Sequence, residues 1–222
     1  VLIKKDSYDQ ATVYYSTEEM LNICRKEPLF EPKFIFYKTD SWKLVDKKSR
    51  ESFEYFIKSF KKNIEVFDTP SYFKDINKYH QIIHETDLAN NFSEYYKKNK
   101  KKLSNYMQKA IANGNKYSSK EYAEAIDFMK RSYESYKEVF EDYHGVLSPS
   151  SPGVAPKGLK STGTAEFNKF WSFMGTPCIS LPLLQGENNL PLGVQLIGDK
   201  YDDLRFLGIA RWLEKESKEF NE

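Results

Sequence analysis

A serine hydroxyl is a poor nucleophile until a neighbouring base removes its proton, so adjacent serines attract attention only where a base and an oxyanion site can join them. The chain holds two such pairs. Ser118 and Ser119 stand where a helix should begin, and Ser150 and Ser151 stand in a loop punctuated by Pro149, Pro152 and Pro156. Neither setting supplies converging backbone donors, because the 10 glycines are scattered with no Gly-Gly or Gly-Ser pair among them. His80 and His84 share one helix face at i, i+4, the spacing of two zinc ligands. The catalytic form of that pattern needs a glutamate after the first histidine, and here the position is Gln81, with no third ligand evident; both are read as solvated or satisfied, and no metal is expected. Gly153 to Ser161 imitates a phosphate loop, but Leu159 separates Gly158 from Lys160 and two prolines suit a surface loop better, so no nucleotide or other cofactor is expected. Cys178, in CISLPLL, has no histidine to orient it and reads as a small buried hydrophobe. Five lysines between Lys97 and Lys102, beside Tyr95, Tyr96 and Tyr106, could follow an anionic backbone. A lysine run at a helix junction is more simply a solvated one.

Composition narrows the classes further. In 222 residues, 40% are hydrophobic, enough for a globular core, and 34 basic against 32 acidic side chains leave a formal charge of +2. That field is too weak to argue for a nucleic-acid or membrane partner, and neither is expected. No apolar run approaches a membrane span and no signal-peptide architecture opens the chain, so the cytoplasm is the expected compartment. Cys24 and Cys178 are read as buried thiols without a disulfide.

Periodicity locates the elements that must position any site. Ser16 to Glu19 forms a capping box that starts a helix reaching about residue 26, with Met20, Leu21 and Cys24 on one face and Pro28 ending it. Residues 33–38 read as a strand. Asp46 caps a helix whose Phe53, Phe56, Ile57 and Phe60 repeat at i, i+3, i+4, i+7, and 64–67 form the next strand, which makes a βαβ unit with parallel neighbours. Residues 72–143 lack any strand signal and break into three helices near Asn99 and at Asn113 and Gly114, the clearest spanning 119–140. The return to the sheet starts at Val146. After the 148–163 loop, a helix carries Phe167, Phe170, Trp171 and Met174 as far as Gly175, and apolar runs at 178–184 and 192–197 supply the expected buried centre. The fold class expected is α/β: a mixed β-sheet layered with helices, one domain over 1–222 with a helical insertion or cap at 72–143.

The order Asn168, Trp171, Gly175, Pro177, then a β run ending in Pro182, then Pro191-Leu-Gly-Val-Gln-Leu-Ile-Gly198 and a helix opened by Asp202 and Asp203, resembles the C-terminal end of the amidase signature family. The proline loop Ser148-Pro-Ser-Ser-Pro152 with Ala155 and Pro156 is similar to that family's, as are Ser7, Tyr8 and Asp9 with 16–21 to the segment just past its catalytic serines. The resemblance implies hydrolysis of carboxamide C–N bonds by a nucleophilic serine, a second serine on a cis peptide and a lysine base. In the family all three lie upstream of the segment matched by Ser7 to Asp9, so they are expected before Val1, with no catalytic residue in this chain. The same resemblance makes Asn168 and Trp171 the substrate-pocket candidates, against the plainer expectation that Trp171 packs in a core. The partners it implies are a small carboxamide substrate and a missing N-terminal half, with self-association possible through a severed sheet. Two alternatives stay open: a non-catalytic α/β interaction module on the same scaffold, and the A-type subunit of a tRNA-dependent amidotransferase.

Overall fold

The structure, a computed structural model, describes residues 5–8, 12 and 17–219. In chain order these form α1 (Thr17–Arg25), β1 (Phe34–Lys38), α2 (Lys47–Ser59), β2 (Ile64–Asp68), α3 (Ile76–Asn91), α4 (Ser93–Asn99), α5 (Asn105–Gly114) and α6 (Ser119–Lys137). There follow α7 (Val139–Asp142), β3 (Gly145–Pro149), α8 (Glu166–Met174), β4 (Cys178–Gln185), β5 (Pro191–Ile197) and α9 (Asp203–Glu219). The chain divides into two units. One comprises the described parts of Val1–Asp68, Val139–Phe167 and Thr176–Glu222, the other Thr69–Glu138 and Asn168–Gly175. The capping box expected at Ser16 lies outside the described residues.

The first unit is built on a five-stranded sheet in the order β2-β1-β3-β5-β4. The expected βαβ unit is present: β1 and β2 run parallel with Phe34 opposite Ile64, and α2 crosses between them. Asp46 caps α2 by accepting from Ser49 N at 2.8 Å, which satisfies one of the orphan N–H groups of the first turn. The Phe53, Phe56 and Phe60 stripe then buries against Phe34, Phe36, Leu147, Val194 and Leu196, and Phe206, Ile209, Ala210 and Leu213 of α9 complete the same core. Each such side chain contributes roughly 1.5–3 kcal/mol on burial, so this one face of the sheet supplies most of the unit's hydrophobic stabilisation. β1 also pairs in parallel with β3, whereas β3 with β5 and β5 with β4 are antiparallel, giving the mixed sheet. One expectation needs correction. The 178–184 run is no buried centre: β4 lies at the sheet edge, and Cys178, Ser180 and Pro182 are exposed while Leu181 and Leu183 point into the core. An apolar run reads alike whether one face of the strand or both are covered.

The second unit is helical. α3 packs against α5 and α6, and its Glu85, a buried residue, ties them together. Its carboxylate accepts from Gln81 Nε2 at 3.3 Å, Asn113 Nδ2 at 3.2 Å and Tyr117 Oη at 3.0 Å. Gly114 ends α5 against Glu85, where a Cβ would lie 2.0 Å from the Glu85 carbonyl oxygen, so only glycine permits this approach. α6 starts on a full capping box: the Ser118 hydroxyl accepts from Glu121 N at 3.2 Å and the Glu121 carboxylate accepts from Ser118 N at 2.8 Å. The break expected near Phe140 falls earlier, at Glu138, and α7 follows as a separate turn.

Candidate functional site

The sheet has a second face, and its chemistry changes along the strands. Ile35, Val146 and Ile197 make it apolar and buried near one end. One rung further, Ser148 of β3, Gln195 of β5 and Ser180 of β4 stand directly opposite one another, because the registers Ser148↔Gln195 and Ser180↔Gln195 coincide. Ser148 and Gln195 are buried, and Ser180 is exposed at the edge. The two buried ones, Ser148 and Gln195, cost desolvation that packing alone does not require.

Gly193, next on this face of β5, keeps the row open. A Cβ there would lie 2.2 Å from Ser150 Oγ and 2.5 Å from Ser180 Oγ, so the two hydroxyls face each other across the space that glycine leaves. The proline loop is fixed at the same place. Ser150 donates from Oγ to the Gly193 carbonyl at 2.9 Å, and Asp46 N donates to the Pro152 carbonyl at 2.9 Å. Gly153 abuts the Asp46 carboxylate, and Gly186, in the β4–β5 turn, leaves room for Val154. Pro152 cannot donate a backbone hydrogen bond and holds its φ, which suits a strap carried by its carbonyl. The row of serines and Gln195, bordered by this strap, offers donors and acceptors that could hold and orient a polar amide. Neither serine of the loop is activated: Ser150 and Ser151 donate to carbonyl oxygens, of Gly193 at 2.9 Å and Gly153 at 2.7 Å, and a carbonyl cannot take up their protons.

Cys178 stands at the sheet edge one rung away from this row, opposite Ile197. Its thiol donates to the Thr176 carbonyl at 3.5 Å. The residue is exposed while its thiol is desolvated, and that desolvation pushes the thiol up to about 11, which leaves it neutral and weakly nucleophilic near pH 7. The expectation that Cys178 is buried is therefore corrected, and Cys24 is half-buried; both are free thiols.

The other residues singled out by sequence lie elsewhere. Trp171 is fully buried within the second unit, its ring centroid 5.6 Å from Tyr136 and 4.7 Å from Phe170. Asn168, one turn earlier on α8, is exposed. His80 and His84 stack at 5.8 Å, and His84 Nε2 is engaged by the Tyr106 hydroxyl at 3.3 Å. A groove of about 580 Å³ between α2 and the end of β4 includes Lys48 and Ser52. The Ser52 hydroxyl is committed to the carbonyl oxygens of Gln185 at 3.0 Å and Lys48 at 3.3 Å, so that groove presents no activated nucleophile. The polar row itself leaves a signal in the sequence. One polar residue sits inside each of three apolar runs, VLSP, LGVQLIG and CISLP, and only the strand register brings the three together.

Among the described residues no helix is long and apolar enough to cross a membrane, and no group of three or more His, Cys, Asp or Glu could hold a metal ion.

Comparison with known proteins matches a family profile described as Amidase over residues 1–207. The A-type subunit of glutamyl-tRNA(Gln) amidotransferase from Alkaliphilus metalliredigens is 36% identical over 109 residues, covering 46% of this chain and 22% of that protein. Its counterpart from Thermotoga maritima is 32% identical over 102 residues, covering 43% and 21%. Among solved structures, a bacterial aryl acylamidase of the amidase signature family superposes with a TM-score of 0.70 at 14% identity, over 97% of this chain and 50% of that one. The T. maritima protein superposes with a TM-score of 0.61 at 21% identity, over 93% and 46%. The chain thus matches about a fifth of the length of these curated relatives and about half of each solved chain, and at such identities the solved structures share its fold.

Proposed function

We propose, since the chain belongs to the Amidase family, that it forms the C-terminal wall of an enzyme hydrolysing carboxamide C–N bonds. The polar row of Ser148, Gln195 and Ser180 beside Ser150 and Gly193 carries this reading. It offers hydrogen bonds suited to an amide, and neither serine of the bordering loop is set beside a base. The nucleophilic serine, the cis-peptide serine and the lysine base then belong to a segment ahead of Val1. That segment is the missing N-terminal half, and the outer edge of β4, which pairs only with β5 among the described residues, supports a place for added strands or for self-association. In this reading Asn168, exposed on α8, stays a candidate for substrate contact, and Trp171 acts through packing that fixes the helix.

The test is acyl-enzyme chemistry. This chain alone should show no enzyme-like turnover of simple carboxamides and no labelling by a fluorophosphonate, which reacts only with an activated serine. Mixed with the N-terminal half of a family member, it should restore both, with the label on the added half. Labelling of a serine in this chain refutes the reading.

A second reading, the A-type subunit of a tRNA-dependent amidotransferase, is favoured by the 36% identity to one such protein. Glutamine hydrolysis by the reconstituted protein in preference to simple carboxamides separates the two.

A further inference from the structure

We propose that the junction between α4 and α5 binds single-stranded nucleic acid, with phosphates on Lys100, Lys101 and Lys102 and a base stacked on the ring of Tyr106. The whole-chain charge of +2 conceals a strongly uneven distribution: residues 92–109 hold six lysines against one glutamate, more positive charge than the entire chain. That glutamate, Glu94, is shared between Lys97 at 3.2 Å and Lys98 at 3.6 Å. No carboxylate pairs with Lys101, Lys102 or Lys109 among the described residues, and all three are exposed. A solvated helix of the usual kind interleaves both signs, whereas single-sign clustering is the footprint of a polyanion partner.

The aromatic side chains favour a nucleic acid over another polyanion. Tyr106 is 67% exposed, yet its hydroxyl is tied to His84 Nε2 at 3.3 Å, so the ring is held in place instead of folding onto the protein. Tyr95 and Phe92 are exposed beside the same lysines, at 44% and 38%. A ring fixed at its hydroxyl presents a flat π-face beside clustered lysines, the pairing of stacking surface and positive charge that a nucleic acid uses. A base has a flat face for such a platform, provided it is unpaired, which selects single strands. The three-lysine turn, Lys100–Lys102, also leads into the N-terminus of α5, whose helix dipole adds to the positive potential.

The test is fluorescence anisotropy of labelled oligo(U) and oligo(dT), each about 12 nucleotides long. Binding to either strand should weaken between about 50 and 200 mM salt, and joint substitution of Lys100, Lys101 and Lys102 by Gln should lower the log–log salt slope by about 2. Tyr106→Ala should weaken binding about 5- to 100-fold with the slope unchanged, while Tyr106→Phe, which keeps the ring, retains most of it. Circular dichroism verifies that each variant is folded. Absence of binding at about 50 mM salt overturns the proposal. So does an unchanged affinity in Tyr106→Ala, or displacement by polyglutamate or phosphatidylserine vesicles as effective per charge as by unlabelled oligonucleotide.

Discussion

Replacing Gly114 by Ala sets two effects of opposite sign against each other. Glycine inside a helix costs about 0.5–1 kcal/mol relative to alanine, and at the last position of α5 up to that much, so propensity alone predicts that the variant gains stability. The structure predicts the reverse. The new Cβ would lie 2.0 Å from the Glu85 carbonyl oxygen and 2.5 Å from its carbon, against the 3.4 Å at which ordinary contact begins, and these are backbone atoms that no rotamer change can move. α3 and α5 must separate by an ångström or more. Overpacking of this kind costs about 1–3 kcal/mol. The shift also stretches the bonds from Asn113 and Tyr117 to the Glu85 carboxylate, and hydrogen bonds to a charged group contribute roughly 1.5–3 kcal/mol each. Stretching forfeits only part of those bonds, about enough to offset the propensity gain, so the net expectation is destabilisation by about 1–3 kcal/mol, read as a lower urea midpoint by far-UV circular dichroism. Ala112→Gly, exposed in the same helix, is the control and should lose about 1 kcal/mol through propensity alone. A midpoint for Gly114→Ala equal to or above that of the parent refutes the close approach of the two helices.

Two further measurements address titratable groups. Lys33 N donates to His144 Nδ1 at 3.0 Å, and burial, helped by the charge of Arg205, holds the imidazole below its usual 6.5. The folded state therefore takes up the proton later than the unfolded chain does. Stability is full above about pH 6.5 and falls as the pH drops through the depressed value. His144→Gln should flatten the urea midpoint over that range, and an unchanged pH profile contradicts the assignment. For Cys178, a thiol near 11 in place of 9.0 leaves about a hundredfold less thiolate at pH 8. Iodoacetamide should label it slowly at that pH and faster as the pH rises toward 11, and rapid labelling at pH 8 refutes the desolvation.

Local chemistry and periodicity by themselves determined much of this protein. The i, i+3, i+4, i+7 phenylalanines after Asp46 require a capped amphipathic helix, and the βαβ crossover then leaves the strands at 34 and 64 parallel. The Trp171 to Gly198 pattern pointed to the family that the profile match gives. Tertiary structure alone decided which face of each strand is covered. The 178–184 run has the same apolar letters at an edge as in a centre, so only pairing with β5 on one side left Cys178 and Ser180 exposed. The polar row depends on register, and a slip of one residue would turn Gln195 into the phenylalanine-lined core; nothing along a single strand fixes its partner. Gly114 and Gly193 were unremarkable letters until two chain segments met over them, since close approach is a property of neighbours distant in sequence.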